Sequence, residues 1–186
     1  MDPLPAALLA LVIVLGTAAV LIWNALVRAR NDVMNGWSQI DVQLKRRHEL
    51  VPNLVASVSG YAEHEKELLA RITEARSAAQ EAGGKSAAER GVAEDLLGMA
   101  LEGLRVVVEA YPDLKANTNF LALQEELAST ENRIGFARQA YNDAVAEYNT
   151  KREMFPHRLL AGSFRRAEMF TLRDAPAERA VPDASV

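Results

Sequence analysis

From Pro3 to Val27 the chain carries no charged side chain, and at Arg28, Arg30 and Asp32 a densely charged region begins. About 20 consecutive apolar residues in a helix cross the hydrocarbon core of a bilayer. The stretch from Leu4 to Val27 offers that length, with Trp23 near its end. Its apolar residues fall on every face rather than on one stripe, as a lipid-exposed helix requires. A cleaved signal peptide would need a basic leader, a shorter apolar run and a small-residue cleavage site. Here Met1-Asp2-Pro3 contains no Lys or Arg, and Trp23-Asn24 occupies the place of that site. The segment 4–27 therefore reads as a transmembrane helix behind a short flank, residues 1–3.

Orientation is set by the basic residues beside the span. The N-terminal side has none, and the C-terminal side has Arg28, Arg30, Lys45, Arg46 and Arg47. This bias predicts a single-pass protein of the cell (inner or plasma) membrane, with its N-terminus outside and its C-terminal part in the cytoplasm. Beyond the span the chain has 21 basic against 24 acidic residues, a net charge of −3. A nucleic-acid face would need clustered Lys and Arg, so no nucleic-acid partner is expected. There is no cysteine, hence no disulfide, thiolate nucleophile or cysteine-bound metal. Gly and Pro are sparse, and Ala, Leu, Glu, Arg and Val dominate, which is a helical composition.

Apolar periodicity lays out the helices of residues 28–172. The membrane helix is expected to continue through Val33, Trp37, Ile40 and Leu44 to Leu50, about 70 Å from Leu4, with Asp41, Lys45 and Arg46 on its other faces. Pro52 is expected to end or kink it. A second helix is predicted from Pro52 to Glu81, with Leu54, Val58, Tyr61, Leu68, Ile72 and Ala75 on one face. After the turn at Gly83-Gly84, Ser86 and Glu89 have the form of a capping box. A third helix is predicted over 87–110, its stripe running through Ala93, Leu97, Ala100, Leu104 and Val107 and widened by Leu96, Leu101 and Val108. Tyr111-Pro112-Asp113 stops it.

The strongest pattern comes next, with Asn117 or Asn119 as its cap. Phe120, Leu127, Ile134, Tyr141 and Tyr148 stand seven apart, and Leu123, Thr130, Ala137 and Ala144 lie three beyond each of the first four. This coiled-coil-like seam suits a helix packed nearly antiparallel to its neighbours. Phe155-Pro156 ends it. Leu159, Leu160, Phe164 and Phe170 predict a short helix within 157–172, and residues 173–186 read as a disordered tail. The fold class is all-α: one transmembrane helix continuing into an antiparallel four-helix-type bundle.

Chemical motifs are weak. Gly83-Gly84-Lys85-Ser86 resembles the end of a phosphate-binding loop, but Ala79 stands where the first Gly belongs and a helix, not a strand, precedes it. His48-Glu49 and His64-Glu65 each begin like a zinc-protease motif without the second His. Glu63, His64, Glu65 and Glu67 form either a solvated face or a weak cation site. Thr130-Glu131-Asn132-Arg133 places a polar cluster in the apolar seam. It reads either as register control, with Glu131 or Arg133 paired to Asp41, Lys45 or Arg46, or as a patch that grips a partner. Lys45-Arg46-Arg47, about 27 Å beyond Val27 along a straight helix, reads as a source of salt bridges.

Two stretches are more specific than any pattern. Trp37-Ser-Gln-Ile-Asp-Val-Gln-Leu-Lys-Arg-Arg-His-Glu-Leu-Val-Pro-Asn-Leu-Val55 is followed by Gly60-Tyr-Ala-Glu-His-Glu65. Tyr111-Pro-Asp-Leu-Lys115 is followed by Leu123-Gln-Glu-Glu-Leu-Ala-Ser-Thr-Glu-Asn-Arg-Ile134, Ala137-Arg-Gln-Ala-Tyr-Asn142, Tyr148-Asn149 and Phe155-Pro156. In this order, over residues 20–164, they resemble the LemA family. Gly36 and Gly135 stand where such sequences usually carry Ala, and the aromatic ending near residue 164 is partly kept. The resemblance implies a membrane-tethered antiparallel helical bundle and supplies no reaction and no catalytic residues. The expectation is therefore a scaffold or adaptor, with no catalysis, cofactor, metal or small-molecule substrate. Its partners would be the bilayer and other proteins or further copies of itself. A metal-dependent regulator or enzyme built on Glu63-His64-Glu65, and membrane remodelling by self-association, are the alternatives.

Overall fold

A computed structural model describes residues 3–171; the expected tail and the first two residues of the flank lie outside them. Every regular element among the described residues is helical: α1 (Leu4–Ser59), α2 (Lys66–Glu81), α3 (Ala87–Val108), the single-turn α4 (Pro112–Lys115) and α5 (Thr118–Glu153), with short 3-10 turns between or after them. The chain divides into two compact units, residues 40–136 with 169–171, and residues 3–39 with 137–168.

In the first unit, the later part of α1 packs with α2, α3 and the start of α5 in alternating directions. Its core joins Val51, Leu54 and Val58 of α1, Leu68, Leu69, Ile72 and Ala79 of α2, Leu97, Leu101, Leu104 and Val108 of α3, and Leu114 and Phe120. Each such side chain contributes about 1.5–3 kcal/mol by leaving water. The Ser86–Glu89 capping box forms with both reciprocal bonds. Asn117 caps α5, its Oδ1 accepting from the Asn119 and Phe120 amides at 3.0 and 3.1 Å.

Pro52 does not end α1, which runs seven residues further to Ser59. A proline inside a helix leaves the carbonyl four residues earlier without its N–H donor. Here that carbonyl belongs to His48, and Arg76 Nε of α2 donates to it at 2.7 Å. The break expected at Pro52 falls instead at residues 60–62, so Leu54 and Val58 belong to α1. Tyr61, placed by its spacing on an apolar stripe, is 45% exposed, and its hydroxyl accepts from Asn117 Nδ2 at 2.9 Å. Leu96, expected to widen the α3 stripe, is exposed. Pro112 is exposed too, and opens α4 at its first turn.

In the second unit, Leu26 and Ala29 of α1 form a small core with Tyr148 of α5, Ala161 and Phe164. Gly36 lets the helices approach closely, since a Cβ there would stand 3.1 Å from Tyr141 Cα. The Trp37 and Tyr141 rings lie 5.3 Å apart at 55°. Residues 157–168 are not the expected helix. Two 3-10 turns, His157–Leu159 and Ala161–Ser163, lead into residues without regular structure. The reason is a set of α5 side chains that bind the backbone directly. Tyr141 and Tyr148 hydroxyls donate to the Glu168 and Arg165 carbonyls, each at 2.7 Å. Arg152 Nε donates to the Phe164 carbonyl at 2.7 Å, and Asn149 pairs with both backbone groups of Ala167 at 2.9 and 3.1 Å. Backbone groups satisfied this way have no need of a helix.

The His48 carbonyl offers a direct test. Arg76→Ala is expected to cost about 1–3 kcal/mol, the penalty for an unsatisfied buried group, in urea titration of the full chain in detergent micelles. The same change made in a Pro52→Ala background should cost markedly less, because residue 52 then supplies the missing N–H.

Candidate functional site

The main concentration of buried charge lies in the 40–136 unit. On α1, Ile40, Leu44, Arg47, Val51, Leu54 and Val58 repeat at spacings of four and three, and all are buried. On α3, Arg90, Glu94, Leu97, Leu101, Leu104 and Val108 do the same. The helices thus bring charged residues, Arg47 on α1 and Arg90 and Glu94 on α3, to positions an apolar side chain would ordinarily fill; Arg47 and Glu94 meet each other. The side chains are 3% and 0% exposed.

Their geometry satisfies most of the buried groups. Arg47 Nη2 donates to the Glu94 carboxylate and, at 3.1 Å, to the Glu94 backbone carbonyl. Arg47 Nη1 reaches both oxygens of Glu131 on α5 at 3.0 and 3.2 Å. His48 Nε2 lies 3.0 Å from Glu94 Oε1 and 3.3 Å from Oε2. Arg47 Nε has no hydrogen-bond partner among the described residues. Six residues earlier on α1, Asp41 accepts from Arg90 at 2.7 Å and pairs with Lys45 at 2.8 Å.

These contacts decide the protonation states. Burial works to raise the Glu94 carboxyl, but the His48 hydrogen bond and the Arg47 charge outweigh it and hold it below the usual carboxylate range. Burial likewise works against the charge on Arg47, and the Glu131 and Glu94 carboxylates overcome it, pushing the guanidinium further up. For Asp41, burial is overcome by hydrogen bonds from Lys45 and Arg90, and its pKa also falls. Apart from Arg47 Nε, the Arg47–Glu94 pair finds its partners within the protein, with Glu94 out of reach of solvent. Chemically it is an interlock of α1, α3 and α5 rather than an acid or base presented to a substrate.

The structure distributes the sequence-derived polar residues unevenly. Arg46 pairs with Glu126 at 2.7 Å, and Lys45 with Asp41. Thr130 is buried, but its hydroxyl donates within α5 to the Glu126 carbonyl at 2.8 Å, so it needs no partner on another helix. Glu131 joins the cluster through Arg47 rather than through Lys45 or Arg46. Asn132 and Arg133 are exposed. Sequence reasoning passed over Arg90 and Glu94; it expected salt bridges from Arg47, which the structure gives it with Glu94 and Glu131, and weighed His48 only as half of a metal motif. The signal for Arg90 and Glu94 is the spacing itself, which a search for apolar stripes skips where the residue is charged.

The Glu63–Glu65 segment is a 3-10 turn. His64 is exposed, and Glu65 accepts from the Tyr111 hydroxyl at 3.4 Å. Among the described residues no three metal-ligating side chains come together. A mainly apolar cleft of about 600 Å³ runs between α3 and α5, lined by Leu54, Leu101, Phe120 and Leu127, with Glu102, Arg105, Glu125 and Glu131 as its charged members.

Along α1, every residue from Leu4 to Ala18 is exposed, and an apolar window long enough to cross a membrane lies within this helix. The chain matches the LemA family over residues 36–185. It is 28% identical over 179 residues to Magnetosome protein MamQ 2 of Paramagnetospirillum magneticum, covering 82% of this chain and 66% of the relative. It is 27% identical over 180 residues to Magnetosome protein MamQ of Magnetospirillum gryphiswaldense, covering 83% and 66%. To Protein LemA of Metamycoplasma hominis it is 31% identical over 130 residues, covering 69% and 58%. The chain thus spans just under two thirds of the length of these magnetosome relatives.

Removing one member of a buried ion pair strands the other, at about 3–5 kcal/mol. Glu94→Ala is expected to lose that much in urea titrations of the full chain in micelles, and the apolar double replacement Glu94→Leu with Arg47→Met to lose far less. Because the Glu94 pKa is depressed in the folded state, its contribution is complete above the unfolded value of about 4.3. It is lost as pH falls through the lower native value. Stability curves between pH 6 and 3 should therefore fall more steeply for the natural chain than for Glu94→Gln.

Proposed function

We propose a function from the premise that this chain belongs to the LemA family: it is a single-pass membrane protein whose helices form a non-enzymatic scaffold for proteins of the membrane or envelope. Residues 4–27 are the span, and residues 28–172 are the interacting part. The N-terminus is outside and the bundle cytoplasmic, as Arg28, Arg30 and Lys45 beyond the span favour.

The observation that carries this reading is the two-part character of α1. Its first turns expose Leu8, Leu9, Ile13, Val14 and Leu15 on all sides, whereas Ile40, Leu44, Val51 and Val58 are buried. One helix is thus suited to two solvents, lipid early and protein interior late. The burial and mutual pairing of Arg47 and Glu94 support a structural rather than a chemical role for their charges. On α3, Val92, Leu96, Met99 and Val106 are exposed on one face, which favours contact with other proteins or further copies. Relatives named as magnetosome proteins support the same reading.

Amine-reactive crosslinking of the full chain in native membranes should yield discrete higher-mass species, and Leu96→Glu with Met99→Glu should remove them while leaving helicity unchanged. A solitary monomer under all crosslinkers would refute the scaffold. In sealed right-side-out vesicles the bundle should resist added protease; its complete digestion there would reverse the topology.

A further inference from the structure

The end of α5 and the turns after it return to the apolar run of α1. Within residues 3–18 every side chain is exposed, but a covered face begins at Ala19 and continues through Ile22 and Leu26. Phe164 meets the Trp23 ring edge-on, with centroids 4.9 Å apart, and packs with Ala161 against Leu26 and Ala29. Trp23 stands four residues, about 6 Å, inside the last uncharged residue of the run. The turn following α5 therefore sits at the depth where a bilayer changes from hydrocarbon to headgroups.

The outward composition of this turn matches that boundary. Phe155 is 79% exposed, Leu159 72% and Met154 56%, high values for large apolar side chains on a single short turn. Arg158, Arg165 and Arg166 of the same segment, and Arg28 and Arg30 of α1, are all exposed. Glu153, the acidic residue of this turn, is paired with Arg166 at 3.2 Å. Arg30, Arg165 and Arg166 also share a cavity of about 390 Å³ with Val33, Met34 and Phe164. Apolar side chains that enter the acyl boundary by about 5–10 Å, next to arginines that meet phosphates, are the two components of interfacial membrane binding.

We infer that the segment from Met154 to Arg166 is a second membrane contact, an interfacial collar that inserts Phe155, Leu159 and Met154 beside the span and binds anionic phospholipid through Arg158, Arg165 and Arg166. The inference rests on reading residues 4–27 as a span. A bilayer, rather than a protein, is the fitting occupant because the segment that carries the patch is docked, through Phe164 and Ala161, on Trp23 and Leu26 at the end of that apolar run. The collar confers lipid selectivity, which a uniformly apolar span alone does not.

The absence of cysteine makes the test direct. Single replacements Phe155→Cys, Leu159→Cys, Gln139→Cys and Val12→Cys in the full chain are labelled with an environment-sensitive fluorophore and reconstituted into vesicles of phosphatidylcholine, with or without phosphatidylglycerol. Labels at 155 and 159 should be quenched by lipid-borne nitroxide and shielded from aqueous iodide, more so with phosphatidylglycerol. The label at 139 should stay open to iodide in both. Adding Arg158→Glu and Arg165→Glu to the Phe155→Cys chain should lower the docked-to-undocked ratio in anionic vesicles by about fivefold or more per arginine, with the label at 12 unaffected.

If 155 and 159 are as open to iodide as 139 while 12 remains lipid-quenched, the collar is refuted and the span stands. Iodide reaching the label at 12 refutes the span and the collar with it. Shielding from iodide without quenching by lipid assigns the patch to a protein partner and overturns the proposal, as does equal docking in neutral and anionic vesicles.

Discussion

Within residues 40–136 the arrangement of helices depends on one ionic contact, Arg47 of α1 against Glu94 of α3. Apolar seams are tolerant, because a helix can slide by a turn and still bury leucine against leucine. Two charges withdrawn from water are not tolerant: each loses several kcal/mol of hydration, recovered only in good geometry with the remaining hydrogen-bonding groups filled. Glu94 meets Arg47 and His48 at once, and Arg47 also reaches Glu131 on α5. A slip of one turn on any of the three helices would strand a buried charge. The pair adds little net stability, but it selects one register among several that the apolar residues alone would accept.

The same contact explains what sequence reading captures and what it misses. The all-α class, the ends of α3 and the start of α5 are legible because their signals are local: Ser86 and Glu89 satisfy each other within one turn, and Asn117 caps the helix it begins. The seam of α5 is legible because its period is sustained from Phe120 to Tyr148. Pro52 misleads because its missing hydrogen bond is repaired by Arg76, which lies in another helix and has no sequence signature at the break. The residues after Pro156 mislead because apolar spacing alone cannot show that Tyr148, Asn149 and Arg152 bind their backbone. Glu94 escapes notice, and Arg47 is seen as a source of salt bridges but not as a buried one, because the rule that finds a buried stripe counts apolar residues, and these two occupy the stripe while violating it.

Helix α1 shows how one regular element can satisfy different surroundings. A helix satisfies its own backbone in an apolar medium as in a protein interior, so an apolar run can continue into a bundle helix without a break, with only a change of side chains near Arg28. Beyond Arg28 the helix keeps a narrow apolar stripe; before Val27 it has no stripe, being apolar all round. The small face covered from Ala19 onward by the chain after α5 marks where the two regimes overlap.

The manner in which α5 holds residues 164–168 has a consequence for how this protein can change over time. Tyr141, Tyr148, Asn149 and Arg152 grip carbonyls and one amide, groups that every residue type but proline supplies alike. The held segment is thus recognised by its path and not by its letters, apart from Phe164, which fills a core. The cost of conformity falls on four side chains of α5, while the segment's own exposed positions, Arg165 and Arg166 among them, are released from structural duty. They can be rewritten to suit a new surface without asking the helices beneath them to repack.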